Sequence, residues 1–164
     1  MPELERLRAD HAPAVLAFER ANRSYFARSV SDRGEEYFAQ FAARHAELLG
    51  EQEAGVCAFY LLVADDGSVL GRFNLRDIAD GTAEVGYRVA EAAVGRGVAT
   101  AGVERLCREA SGLGVRMLRA ATSDANLASQ RVLVKAGFVR VGAADPDDVG
   151  GRPGSWYERR LAAR

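Results

Sequence analysis

The stretch Val94-Gly95-Arg96-Gly97-Val98-Ala99-Thr100 constrains this chain more than any other. Before it, Ala83-Glu84-Val85-Gly86-Tyr87-Arg88-Val89 alternates in the manner of a strand, and after it Ala99, Val103, Leu106 and Ala110 recur at helical spacing. A strand therefore enters a helix through a turn that holds two glycines. Glycine lets the backbone take a left-handed conformation and pass close to a ligand. The first N–H groups of the helix lack intrahelical partners and sit at the positive end of its dipole. Such a turn suits an anion, most often a phosphate or pyrophosphate. The plainer reading, a turn that only joins strand to helix, stays open on these residues alone.

Two phosphate loops are excluded by spacing. A Walker loop needs Lys followed by Ser or Thr after its second glycine, and the single lysine, Lys135, lies far downstream. The dinucleotide fingerprint needs a third glycine where Thr100 stands. What these residues resemble is the (Gln/Arg)-x-x-Gly-x-(Gly/Ala) loop of the GNAT superfamily of acetyl-CoA-dependent N-acetyltransferases, with Gly97 and Ala99 at its last two defined positions. Val94 departs from the family's Gln or Arg, a change that leaves the backbone amides untouched.

A second segment is similar to the same superfamily. Asn126-Leu127-Ala128-Ser129, followed by Val132-Leu133-Val134-Lys135-Ala136-Gly137-Phe138, resembles the Asn-x-x-Ser…Glu-Lys-x-Gly-Phe element of its RimJ/RimL-type branch, with Val134 in place of the usual Glu. It reads as a short amphipathic helix closed by Gly137 and followed by a strand, with Asp124 as the expected N-cap.

The remaining chain fits one soluble domain spanning residues 1–164. The hydrophobic fraction is 48% and the charged fraction 27%. A net charge of −1 gives no bulk attraction for nucleic acid. Apart from Lys135 every basic residue is arginine, which looks like the codon bias of a GC-rich, bacterial genome. There is no signal-like N-terminus and no apolar run of ~20 residues that would span a membrane, so a cytoplasmic location is expected. Cys57 and Cys107 read as buried free thiols; His11 and His45 are isolated, and no metal site is expected.

Along the chain, residues 3–9 read as a strand, and Asp10 as the cap of a helix running to Ala21 with Pro13 in its first turn. Ser31 or Asp32 is expected to open a second helix with Tyr37, Phe38, Phe41, Ala42, His45 and Leu48 as its apolar stripe. Gly50 and Gly55 bracket its exit. Residues 56–64 and 69–78 form a hairpin across Asp65-Asp66-Gly67, and residues 83–89 add a third antiparallel strand. Strands follow over 115–122, 138–142 and 156–162, with a long polar loop over 143–155. This is a mixed α/β (α+β) chain. The resemblance implies a mostly antiparallel central sheet of about seven strands with helices on both faces.

The resemblance also implies roles. Acetyl-CoA would be held by the amides of Gly95, Arg96, Gly97, Val98, Ala99 and Thr100, with the Arg96 side chain near the phosphates. Backbone groups of Tyr87, Arg88 and Val89 would pair with the pantetheine arm. Asn126 would face the cofactor and Ser129 would donate a hydrogen bond to the departing thiolate; their plainer roles are a helix cap and a small packing residue. Transfer would be a direct attack by the amine, with no covalent enzyme intermediate.

For amine deprotonation the strand before the turn supplies Glu84, which shares a face with Gly86 and Arg88; a Glu84–Arg88 pair or an exposed carboxylate is the alternative. Glu19 and Tyr25 are further candidates for lining the acceptor site, and Tyr157 for reaching the thiolate if Ser129 does not. An α-amine with a pKa of about 7.8 is about 3.5 kcal/mol easier to deprotonate than a lysine amine at about 10.4. One carboxylate without a histidine thus favours a protein N-terminus or a small α-amine as acceptor. Asp145, Asp147 and Asp148 read as a solvated loop, with a cationic acceptor as the alternative. Two other functions stay open: an acyl-CoA-binding regulatory module without turnover, and a nucleotide phosphate-binding protein. A homodimer is also left open.

Overall fold

Alternation along the strands sorts their side chains onto two faces, and helices cover both. The structure, a computed structural model, describes residues 2–162, so Met1, Ala163 and Arg164 at the ends of the expected 1–164 domain lie outside the described residues. The strands are β1 (Glu3–Arg6), β2 (Ala58–Val63), β3 (Val69–Ala79), β4 (Thr82–Val89), β5 (Met117–Ser123), β6 (Val139–Ala144) and β7 (Gly154–Arg160). They form one seven-stranded sheet in the order β1-β2-β3-β4-β5-β7-β6. Every neighbouring pair is antiparallel except β4 and β5. This is the mixed, mostly antiparallel sheet expected from the sequence.

The helices are α1 (Ala12–Ala21), α2 (Arg23–Phe26), α3 (Glu35–Ala39), α4 (Phe41–Glu53), α5 (Val98–Gly112) and α6 (Leu127–Lys135). In β2, Ala58, Tyr60 and Leu62 point into a core with Val103, Leu106 and Ala110 of α5 and Leu133 of α6. The intervening Phe59 and Leu61 point the other way, against Val15 and Phe18 of α1 and Phe41 of α4. Cys57 and Cys107 are buried free thiols whose ionisation burial discourages. Among the described residues no helix is long and apolar enough to cross a membrane.

Local expectations fail in instructive places. Asp10 caps nothing: it lies inside a 3-10 turn over Ala9–His11, and it is the His11 ring that accepts the Arg8 N–H, at 2.9 Å. The single helix expected from Ser31 or Asp32 is two, broken at Gln40, and Gly34 rather than either residue precedes the first. Asp32 instead accepts the Gly34 N–H and binds the Arg23 guanidinium through both oxygens. Within the expected stripe Phe41 and His45 are buried but Ala42 is exposed. The polar segment after β6 contains a further 3-10 turn, Pro146–Val149, started by Asp145 accepting the Asp147 N–H.

Two contacts fix the sheet against its helices near the glycine turn. Gly102 of α5 lies so close over Phe73 of β3 that a β-carbon there would come within 2.1 Å of the ring. On the opposite face Arg72 and Arg88 are direct cross-strand partners on β3 and β4, an arrangement of like charges that is unfavourable alone. Glu19 comes down from α1 between them, only 1% exposed. Its Oε2 accepts from Arg72 at 2.9 Å, while Oε1 accepts from Arg88 at 3.1 Å and from Arg33 at 2.8 Å. Glu19 therefore belongs to an ionic joint beneath the sheet's functional edge. Burial by itself would push its carboxyl up, but Arg33, Arg72 and Arg88 together hold it below the usual carboxylate range.

Gly102→Ala should destabilise the fold by about 1–3 kcal/mol through overpacking, read from urea unfolding. Glu19→Gln should cost roughly 2–4 kcal/mol, less than for a wholly buried triad because Arg33 and Arg88 reach water. Because the folded carboxyl is held low, its stabilising contribution is complete above the ordinary value of about 4.3 and disappears as pH falls through the depressed one. Unfolding curves at stepped acid pH should show that loss in the parent chain and not in Glu19→Gln; equal slopes would refute the joint.

Candidate active site

The parallel pair β4–β5 is joined only over Thr82–Glu84, opposite Met117–Arg119. Beyond Glu84 the strands part. Residues 85–89 keep their ladder to β3, while residues 120–123 keep theirs to β7. A wedge opens between them, and one long edge of β4 faces it. Main-chain groups on such an edge call for a partner.

Two cavities meet in this wedge. The first, of ≈ 430 Å³, is lined by Val89, the glycine turn, the start of α5 and Lys135. The second, of ≈ 420 Å³, opens on the other side and is lined by Arg33, Arg72, Arg76, Glu84, Arg88 and Arg152, among others. They share Ser29, Val30, Tyr87, Arg88, Asn126 and Ser129. The junction of the two is thus built by Tyr87 and Arg88 from β4 and by Asn126 and Ser129 from the start of α6.

The turn is held by its neighbours. The Ala90 N–H donates to Leu70, at 2.8 Å, and the Glu91 N–H donates to the buried Asn22 side chain of the α1–α2 junction, at 3.0 Å. Gly95 and Gly97 have φ of 83° and 72°, conformations that disfavour any L side chain. Nothing lies within 4 Å of where a β-carbon would sit on either. It is the backbone's hand, not crowding, that requires glycine, and the space above the turn is open. Gly97 occupies the N-cap of α5 and offers no side-chain acceptor to its first-turn amides. Of the seven residues in the turn, Arg96 alone does not line the first cavity; its guanidinium donates to the Ala92 carbonyl at 3.0 Å.

At the junction, the Tyr87 hydroxyl and Ser129 Oγ are 2.9 Å apart. Tyr87 is steadied by Phe73, stacked beneath it with ring centroids 6.0 Å apart. Burial pushes the phenol up, outweighing the opposing effect of its bond to Ser129, so the hydroxyl keeps its proton at neutral pH. Asn126, not Asp124, caps α6: its Oδ1 accepts the Ser129 N–H at 3.1 Å and so fixes the serine. Asp124 turns away to accept from Ser155, at 2.7 Å. Asn126 nevertheless lines both cavities.

Other candidates fall out differently. Tyr157 is 5% exposed within the core beside α5 and α6, away from the junction. Tyr25 lines the first cavity rather than the second. Glu84 lines the second cavity, and its Oε1 accepts from Arg76 at 3.4 Å, so the alternative of a Glu84–Arg88 pair gives way to a cross-strand pair while Arg88 turns to Glu19. Of the three loop aspartates only Asp148 lines the second cavity. The sequence reading missed Lys135, the Tyr87 hydroxyl and the arginine group; Lys135 could have been suspected as the single lysine, placed one helix away from the turn.

Solved structures of similar fold include a ribosomal-protein-S5-alanine acetyltransferase from Vibrio fischeri (TM-score 0.89, 16% identity, covering 97% of this chain and 92% of that one). RimJ from Mycobacterium smegmatis in complex with CoA-disulfide gives 0.84 at 20% identity, covering 96% and 80%. A spermidine N-acetyltransferase SpeG mutant from Vibrio cholerae gives 0.76 at 15% identity, covering 96% and 94%. At such identities the likeness is one of fold. No curated protein sequence matches the chain significantly. The family model of the acetyltransferase (GNAT) domain, however, matches residues 3–139, a span that includes the split strand, the glycine turn and the Asn126–Ser129 segment: the chain belongs to the GNAT acetyltransferase family.

Proposed function

We propose that this protein is an acetyl-CoA-dependent N-acetyltransferase of the RimJ/RimL type that transfers acetyl to a primary amine, on a protein N-terminus or a small molecule, by direct attack. The observation that carries the proposal is the parting of β4 from β5 over an open glycine turn, with the Tyr87–Ser129 pair at the meeting point of two cavities. The cavity over the turn suits coenzyme A: amides of residues 95–100 for the pyrophosphate, and the free β4 edge at Tyr87, Arg88 and Val89 for the amides of the pantetheine arm. Lys135 adds a cation beside the phosphates.

Pantetheine threaded along β4 would bring its thioester to the junction. The amine arrives from the second cavity and gives its proton to Glu84, directly or through water, and attacks the carbonyl carbon. The tetrahedral intermediate collapses with cleavage of the carbon–sulfur bond. Ser129, hydrogen-bonded to a protonated Tyr87, donates a hydrogen bond to the departing thiolate, which takes up the second proton of the attacking nitrogen. Asn126 serves by capping α6 and aiming Ser129. The related folds include enzymes named for a ribosomal-protein alanine and for spermidine, so the fold is compatible with a protein or a small-molecule acceptor.

Thiol release from acetyl-CoA across a panel of amines and N-terminal peptides tests the transferase reading; coenzyme A binding with no release for any acceptor would replace it with a binding module. Within that assay Ser129→Ala should lower kcat by about 100-fold with little change in KM for acetyl-CoA. Tyr87→Phe should show a smaller loss, and the double variant should be scarcely worse than Ser129→Ala, because the pair acts as a unit. Glu84→Gln should lower kcat at least tenfold with little change in KM for acetyl-CoA. Wild-type rates in all of these variants would mean the roles are assigned wrongly.

A further inference from the structure

The second cavity is lined by five guanidiniums, those of Arg33, Arg72, Arg76, Arg88 and Arg152, against two carboxylates, Glu84 and Asp148. Arg76 and Glu84 pair with each other. The remaining imbalance centres on Arg33, Arg72 and Arg88, which share the one carboxylate of Glu19.

This group is built rather than incidental. Arg72 is 5% exposed, and its hydrogen bonds to Glu19 and to the Tyr37 hydroxyl both run through Nη1. Arg88 lies over the Phe26 ring at 4.5 Å and Arg33 over the Tyr37 ring at 4.6 Å, so aromatic faces fix the planes of both guanidiniums. Long cationic side chains beside a cavity ordinarily extend into water. These instead converge on Glu19 and line the cavity. Removing an ion from water is costly unless it is paired; Arg72 is removed from it while Arg33 and Arg88 keep partial access, and one carboxylate offsets one charge of three. Burial, together with Arg33 and Arg72, makes Arg88 easier to deprotonate than usual despite Glu19, the sign of a site short of negative charge.

We propose that the acceptor amine carries an anionic group, a carboxylate or a phosphate, which docks on Arg33, Arg72 and Arg88 and thereby sets the amine at the junction. Arg88 lines both cavities, as Tyr87 and Ser129 do, so an anion held there shares its cavity with that pair. Planar, fixed guanidiniums suit bidentate recognition of such oxyanions. Glu19 is the counter-ion that positions the three; it does not line the cavity. This inference rests on the acetyltransferase reading and adds the acceptor's class to it. It sets aside a cationic acceptor, which the loop aspartates had left as an alternative.

Matched acceptors test it. Alanine against alaninamide tests a carboxylate and phosphoethanolamine against ethanolamine a phosphate, each rate expressed per neutral amine because the anion also raises the pKa of the amine, and spermidine supplies the cationic contrast. At least one anionic member should exceed its neutral partner in kcat/KM by tenfold or more, and which pair does so identifies the anion. Arg88→Gln and Arg33→Gln, checked for folding by thermal melts, should shrink that ratio, because the anionic member loses more than the neutral one. Equal rates within both pairs, or a preference for spermidine, would overturn the inference while leaving acetyl transfer intact.

A second measurement needs no turnover: calorimetry of the CoA-loaded protein with the product pairs N-acetylalanine and N-acetylalaninamide, and O-phospho-N-acetylethanolamine and N-acetylethanolamine. An anionic product should bind at least tenfold more tightly, with the gap closing in Arg88→Gln; no discrimination in either pair would sink the anion site. If no amine released thiol, the transferase reading would fall, and this binding comparison would still decide whether the arginines hold an anion.

Discussion

The parting of β4 from β5 after Glu84 is the constraint on which everything else in this structure depends. Parallel strands ordinarily continue side by side, since each main-chain group left without a partner is costly once removed from water. Here residues 85–89 pair on one side alone, and the other side borders a cavity. The sheet keeps its cohesion because each strand has a second neighbour: β3 holds β4, and β7 holds β5 along its whole length. The open edge is one that a ligand can complete.

The surroundings follow from that opening. Because β4 ends beside the wedge, the turn after it and the start of α5 fall at the wedge's mouth, and two left-handed glycines turn the helix's free amides toward the space. Because β5 diverges, α6 can bring Ser129 to the Tyr87 hydroxyl, with Asn126 fixing the serine from the cap. On the far face the ion joint of Glu19 ties α1 to β3 and β4, and Asn22 ties the end of α1 to the turn. The helical layer and the wedge are one mechanical unit: what steadies β4 against α1 also sets the charge of the second cavity.

What the sequence made legible was whatever depends on local backbone chemistry. The glycine turn, the closing Gly137, the β2–β3 hairpin and the alternating faces of β4 could be read because each is set by residues a few positions apart. Local reading failed where two neighbours compete for one role. Asp124 and Asn126 are both good caps, and only Ser155, brought in by β7, decides that Asp124 is occupied elsewhere. The apolar stripe of residues 37–48 runs through the break at Gln40 and conceals it. Most of the site's electrostatics was not legible at all. Glu19 meets arginines 14, 53 and 69 residues away, and Tyr87 meets Ser129 across 42, separations over which no spacing rule speaks.

The central claim is that a ligand completes the open β4 edge. Amide hydrogen exchange, followed with and without coenzyme A, tests it most directly. The account predicts that amides in residues 86–89 and 97–100 slow markedly on addition of coenzyme A, while those of β6 and α4 do not change. Unaltered exchange along β4, with protection elsewhere or nowhere, would contradict it.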